Sequence, residues 1–146
     1  MLGALKSLFE PATQESDEER EQRIHLAAAA LLIETARADF TQDAAEEAAL
    51  EPLLCRALKL EPARVRALVE AAQARVDEST SLYEFTRVIN DFYSPQQKLA
   101  LIRAMWAVAY VDGDLDKYEE ALIRKVAELT YVPHADYIMA KLAAAS

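Results

Sequence analysis

The feature of this sequence that most constrains its fold is an acidic pattern that occurs twice. Three carboxylates of the first half return at matching places 73 residues later, as Asp39, Asp43 and Glu46 and then as Asp112, Asp116 and Glu119. In each copy the acids lie between two stretches whose apolar residues have helical spacing. A helix-loop-helix unit that is used twice predicts a fold built from two related halves.

The rest of the sequence is also helical in pattern. More than half of the 146 residues are apolar and only two are glycine, which is typical of a compact helical domain. The predicted fold class is therefore all-α, with about seven helices and a short N-terminal helix before them. The seven are predicted at Asp17–Ala38, Gln42–Leu58, Ala63–Val76, Leu82–Phe92, Pro95–Val111, Asp116–Thr130 and from after Pro133 to about Ala143.

Three serines predict helix starts. Ser16, Ser81 and Ser94 are each followed three residues later by Glu or Gln, which is the spacing of a capping box. Pro95 follows Ser94 directly, and proline is favoured in the first turn because the N–H that it lacks would have no partner there. We therefore expect caps on the first, fourth and fifth helices of the body.

The first residues form a unit of their own. Leu2, Leu5 and Leu8 fall on one side of a predicted short helix, and a polar linker follows. We therefore divide the chain into an N-terminal helix and linker, residues 1–15, and a single helical domain, residues 16–146. The apolar side of the leading helix is expected to dock on its own domain or on a dimer mate.

The charge of the chain limits its partners. Its 25 acidic and 16 basic residues give a formal charge of −9, which repels nucleic acid and anionic lipid and favours cations or basic proteins. The longest apolar run, Leu26 to Ile33, is too short to cross a membrane, and the N-terminus has no secretion signal. We expect a cytoplasmic protein without membrane association. Its protein partner is unknown, and a homo-oligomer is left open.

The repeated acids have the spacing of a cation site. Asp43 and Glu46, like Asp116 and Glu119, are three residues apart and share one helix face. If the two units pack about an approximate twofold axis, their carboxylates converge, and oxygen ligands favour Ca²⁺ or Mg²⁺ over zinc. The alternative is that these acids are solvated first-turn residues, because the partial positive charge of a helix start also favours carboxylates.

The second acidic loop is not an EF-hand. Acids occupy the first, third and fifth positions of such a loop counted from Asp112, but Lys117 replaces the glycine and Ile123 replaces the final glutamate. A cation bound here therefore needs further ligands from the first loop, from Glu119 or from water.

These residues resemble those of a known family. The unit from Ala109 to Glu120, with its counterpart at 39–47, is similar to the tellurite-resistance TerB family, and the resemblance covers about Ile24 to Leu142. It implies an all-helical TerB-like domain of two related halves with a divalent metal site. In this sequence the implied ligands are Asp39, Asp43, Glu46, Asp112, Asp116 and Glu119.

Three functions remain open. The first is a non-enzymatic helical module that binds a divalent metal and serves a tellurite or stress response, or assembles with partner proteins. The second is a metal-independent interaction scaffold. The third is a carboxylate-metal hydrolase, but Leu50 stands where the helical nucleotide pyrophosphatases carry a glutamate, and no nucleophile and base pair is recognisable. We therefore expect that the protein is not an enzyme.

Overall fold

The structure, a computed structural model, describes residues 15–38, 44–78, 81–111 and 115–145, with the backbone alone at 44–47. Over these ranges it contains helices and no strand, which confirms the predicted all-α class. We label the helices in chain order as α1 (Asp17–Ala36), α2 (Ala44–Leu58), α3 (Pro62–Glu78), α4 (Tyr83–Phe92), α5 (Pro95–Ala109), α6 (Lys117–Leu129) and α7 (His134–Ala145). The short helix predicted at the N-terminus lies outside the described residues. Among the described helices, none combines the length and the apolar composition of a membrane span.

The helices begin and end within two residues of the predicted positions, and two of the three predicted serine caps are present. Ser94 makes a complete capping box at the start of α5. Its Oγ accepts the N–H of Gln97 at 3.2 Å, and its own N–H donates to Oε1 of Gln97 at 2.8 Å. At the start of α1, Ser16 Oγ accepts the N–H of Glu19 at 3.1 Å. These bonds satisfy N–H groups that have no partner within the helix.

The third predicted cap, at Ser81, is wrong. Leu82 is the residue before α4 and makes no side-chain cap, while Ser81 Oγ accepts the N–H of Tyr83 at 3.1 Å. Glu84, which the capping-box spacing assigned to the cap, binds the guanidinium of Arg75 on α3. The spacing of the serine and the glutamate does not predict this ion pair with a neighbouring helix.

The central helix of the fold is α1. Its run from Ala27 to Ile33 is buried, with at most 3% of any residue exposed. Helices α2 to α6 pack around it. A helix usually buries a single stripe, so burial all round requires neighbours on every side. The four alanines at 27–30 keep α1 narrow, which allows these neighbours to approach closely because the distance between helix axes depends on the side chains at the contact.

The helix contacts are reciprocal across the two halves. Helices α1, α2 and α3 pack on one another, and so do α5, α6 and α7. Between the halves, α1 packs on α5, α2 packs on α5, and α6 packs on α1. Helix α4 connects the halves and packs on α1 and α6. The second helix of each half therefore covers the first helix of the other.

The second helix of each half is followed by a residue with positive φ. Lys59 follows α2 with φ 57°, and Tyr131 lies just after α6 with φ 62°. This left-handed conformation turns the chain sharply enough to start the third helix a few residues later. The ring of Tyr131 also lies 5.8 Å from Nζ of Lys98.

Candidate metal centre

The two halves keep the same offset along the chain up to the acids. Helix α1 ends at Ala36 and α5 ends at Ala109, 73 positions later. We call the residues that follow, 37–43 and 110–116, the two acidic segments. This is the offset that aligns the acids in the sequence.

The helices before these segments also end in the same backbone geometry. Arg37 follows α1 with φ −102° and ψ 0°, and Tyr110 follows α5 with φ −94° and ψ 5°. Each donates its N–H to the carbonyl four residues back, that of Ile33 at 3.1 Å and that of Trp106 at 3.0 Å. Thr130 ends α6 with φ −102° and ψ 8°, so this geometry is a common helix ending and does not by itself identify a repeat.

The acidic segments follow helices that begin together. Arg20 and Arg23 of α1 lie over the ring of Phe92, 5.9 and 5.1 Å from its centroid. Because Phe92 ends α4 just before α5, the helices α1 and α5 begin at the same end of the molecule. Side chains between positions 21 and 32 of α1 and between 97 and 104 of α5 then line one cavity of about 410 Å³. The two helices therefore run side by side, and both acidic segments follow at their far ends.

Glu119 is buried although it lies in the first turn of α6, with 1% of its surface exposed. Ile123 and Val126, four and seven residues further along, are fully buried, so Glu119 begins the core-facing stripe of this helix. An ionised carboxylate in the interior is costly unless its charge is compensated. The start of α6 contributes partial positive charge to that compensation, and a bound cation would contribute a full charge.

Asp116 is the N-cap of α6. Its Oδ1 accepts the N–H of Tyr118 at 3.2 Å, and the residue is partly exposed. Capping uses one lone pair of a group that has two oxygens, each able to accept more than one bond. The capping role and a ligand role are therefore compatible.

The other four predicted ligands lie beyond what the structure describes. Asp39, Asp43 and Asp112 are outside the described residues, and only the backbone of Glu46 is described. Within the described part of the chain, no three acids, histidines or cysteines come together in a group that could hold a metal. The six-residue site therefore stays a prediction, with two members placed at the start of α6.

An ion pair ties the flank of each acidic segment to the third helix of its half. Arg37 Nη1 lies 2.7 Å from Oδ1 of Asp77 on α3, and Lys141 Nζ on α7 lies 3.0 Å from Oε2 of Glu120. The hydrogen bond to Glu120 raises the pKa of Lys141. The ammonium group of Lys141 is also 5.7 Å from the centroid of the Trp106 ring. These cations are paired with carboxylates, which weakens their repulsion of a metal ion nearby.

Glu34 is a carboxylate near the first acidic segment that the sequence reasoning missed. It lies in the last turn of α1, where burial raises its pKa and Arg37 acts in the opposite direction. The pattern that identifies it is simple, because Glu34 is the only charged residue between Leu26 and Ala36. The matching position of the second half holds Ala107, so Glu34 has no counterpart there.

A comparison with models of known protein families identifies the family of this chain. The family model described as "Tellurite resistance protein TerB" matches residues 25–142. The chain belongs to the TerB family. The matched TerB region runs from α1 to α7 and includes both acidic segments, and it confirms the family resemblance read from the sequence. Neither the curated proteins nor the solved structures gave a match to this TerB chain.

Proposed function

We propose that this TerB domain binds one divalent cation, Ca²⁺ or Mg²⁺, between its two acidic segments and acts as a non-enzymatic module in a tellurite-related or other stress response. The observation that carries the proposal is the burial of Glu119 at the start of α6. A carboxylate inside the fold, at the end of the molecule where both acidic segments begin, favours a positive charge beside it.

The chemistry of the predicted ligands supports a hard cation. All six are carboxylates, and Ca²⁺ and Mg²⁺ prefer oxygen ligands, whereas zinc and copper are held mainly by nitrogen and sulfur. Asp116 and Glu119 supply two groups from the second half. The equal offset between the ends of α1 and α5 and the parallel course of these two helices support the approach of the first half's acids from the same end. Water completes the coordination in this proposal.

One further observation favours a metal-independent interaction scaffold as the second candidate. The outer side of α7 is apolar, with Met139 69% and Leu142 63% exposed, and Ala135 and Ala143 are exposed on the same helix. Exposed apolar side chains that share one helix face are typical of a surface that binds another protein. A scaffold of this kind would function without any cation.

A thermal-shift experiment tests the cation proposal. We expect Ca²⁺ or Mg²⁺ at one hundred times its Kd to add about 2.7 kcal/mol of stability. That addition corresponds to a rise in melting temperature of roughly 5–10 °C for a domain of this size. EDTA should reverse the rise. Glu119→Gln should remove most of it because the isosteric amide keeps the shape and loses the charge.

The matched control is Glu18→Gln, which makes the same change at an exposed first-turn acid of α1. This variant should keep the full cation-dependent rise. The double substitution Asp39→Ala with Asp112→Ala should abolish the rise. The absence of any shift with Ca²⁺, Mg²⁺ or Mn²⁺ would reject the cation site and leave the scaffold. Turnover of a phosphoester that depends on the same acids would instead show a hydrolase.

A further inference from the structure

A second concave surface lies between α1 and α3. It encloses about 470 Å³, and we call it the α1/α3 groove. Leu26, Leu60 and Leu68 line it and are only partly buried. Arg23 and Arg64 also line it and give it a cationic rim. Three incompletely covered leucines in one groove favour an apolar occupant, because covering them removes their surface from water.

The described chain begins beside this groove. The carboxylate of Glu15 accepts hydrogen bonds from Nε and Nη2 of Arg23 at 3.0 and 2.9 Å. The same contact holds the pKa of Glu15 below its ordinary value. A bidentate pair of this kind fixes both groups in orientation as well as distance. The chain before Glu15 is therefore attached to the domain at Arg23, a residue on the rim of the α1/α3 groove.

Residues 2–9 have a length and an apolar pattern that fit a short amphipathic helix in the α1/α3 groove. Leu2, Leu5 and Leu8 recur every three residues, so a helix would place them on one side, and Phe9 adds an aromatic ring. A helix over residues 2–9 would be about 12 Å long, shorter than the stretch of roughly 16 Å from position 60 to position 71 of the groove. The connecting residues 10–14 reach at most about 17 Å, which is enough to enter it from Glu15.

The charges are also complementary. A helix that ends near Phe9 presents its partially negative C-terminal end, and Glu10 adds a full negative charge there. The rim of the groove offers the guanidinium group of Arg64, whereas Arg23 is already paired with Glu15 and Glu19 also lines the groove. The single lysine of the leading segment, Lys6, is four residues after Leu2, so a helix places it at the edge of the leucine side, from which its long side chain can reach water.

We propose that residues 2–9 bind as an amphipathic helix in the α1/α3 groove of their own chain. The leucine side faces Leu26, Leu60 and Leu68, and the helix covers the groove as an intramolecular ligand. The inference does not depend on cation binding, because the groove lies beside the start of α1 and the acidic segment follows its end.

Disulfide trapping tests the proposal in the full chain. Cys55 is the only native cysteine, so it is first replaced by serine. Leu5→Cys is then combined with Ala71→Cys, which lies in the groove, or with Arg66→Cys, which is exposed on α3 outside it. Under mild oxidation we expect at least five times more disulfide within single chains for the Ala71 pair than for the Arg66 pair.

A second measurement keeps the native cysteine. Leu5→Asp and Ser7→Asp add the same charge on opposite sides of the leading helix. Leu5→Asp should shift the amide resonances of Leu26, Leu60 and Leu68, whereas Ser7→Asp should leave them in place. Equal trapping of both cysteine pairs, or no amide shift with Leu5→Asp, would overturn the proposal. Disulfides formed only between chains would overturn it as well and would place the segment in the groove of a second copy.

Discussion

Burial is the main cause of the shifted pKa of several single residues in this chain. His25 is the clearest case, because its imidazole lies within α1 and is 13% exposed. Burial lowers its pKa, Glu21 opposes that effect, and Arg64 adds to it. The sequence contains two histidines, and sequence reasoning did not predict which of them is buried. The fold buries one and leaves the other, His134, exposed at the start of α7.

The lowered pKa of His25 predicts a dependence of stability on pH. The unfolded chain has a histidine pKa near 6.5 and binds the proton more readily than the folded chain does. The contribution of His25 to stability is therefore complete above pH 6.5 and is lost as the pH falls through that value. His25→Gln should show a smaller loss of stability between pH 7 and pH 5, measured as the change in the urea midpoint.

His134→Gln is the matched control for this measurement. His134 is exposed, so its replacement makes the same chemical change without altering a buried site and should not reproduce the effect of His25→Gln. An equal effect of the two substitutions would contradict the assignment of the loss to the burial of His25.

At the scale of the helix, the packing of α1 depends on small side chains. The alanines at 27–30 are at most 3% exposed, and neighbouring helices surround them. Ala30 is fully buried, and protein interiors are close-packed, so additional methylene groups at this position have to displace neighbouring side chains. A larger residue at Ala30 is therefore expected to be poorly tolerated.

Ala30→Leu should consequently destabilise the protein. Overpacking of a core position typically costs about 1–3 kcal/mol, because side chains and helices must shift to accept the added volume. Ala74→Leu on α3 is the control, since Ala74 is exposed and leucine is nearly as good a helix former as alanine. Urea unfolding of the two variants should separate them by more than about 1 kcal/mol. Equal midpoints would show that α1 is less tightly enclosed than described.

The helices were predictable because their determinants are local. Apolar spacing, Ser94 and Pro95 set α5 without reference to any other helix, and the predicted bounds agree with the structure. The ion pair between Glu84 and Arg75 was not predicted, because the two residues lie on different helices and meet only in the fold. Element bounds depend on neighbours along the chain, whereas such an ion pair depends on the fold.

The candidate site was predictable in part. The repeat identified Glu119, but a first-turn acid in water and one in the core have the same sequence pattern, so its burial came only from the structure. Glu34 was missed because it is absent from the repeat, although an isolated charge in an apolar run already marks a special position. The resemblance to the TerB family, in contrast, was recognised in the acidic unit from Ala109 to Glu120 and is confirmed.

At the scale of the whole molecule, both halves share α1 as a common core element. Helices of the first half and of the second half pack on it, so the separation of either half exposes it. By contrast, α7 lies at the periphery on α5 and α6, with Met139 and Leu142 exposed. Opening of α7 removes fewer buried contacts than opening of α1 does.

Native-state hydrogen exchange should show this difference. We expect the amides of residues 29–33 to exchange only through global unfolding, with an opening free energy equal to the stability from urea unfolding. Amides near the end of α7 should open at a free energy at least about 1–2 kcal/mol lower. Exchange from residues 29–33 at a free energy well below the global value would show that the halves separate independently.

The residues with positive φ after α2 and α6 make the free energy of unfolding of this domain smaller than it would be with glycine at these positions. At Lys59 and Tyr131 glycine would relieve backbone strain of roughly 1–2 kcal/mol, yet the chain keeps long side chains at both corners. Lys59 lines the cavity between α1, α2 and α5, and Tyr131 lies against Lys98. The two bends are therefore natural sites for engineering a more heat-resistant domain, at the expense of these two side-chain contacts.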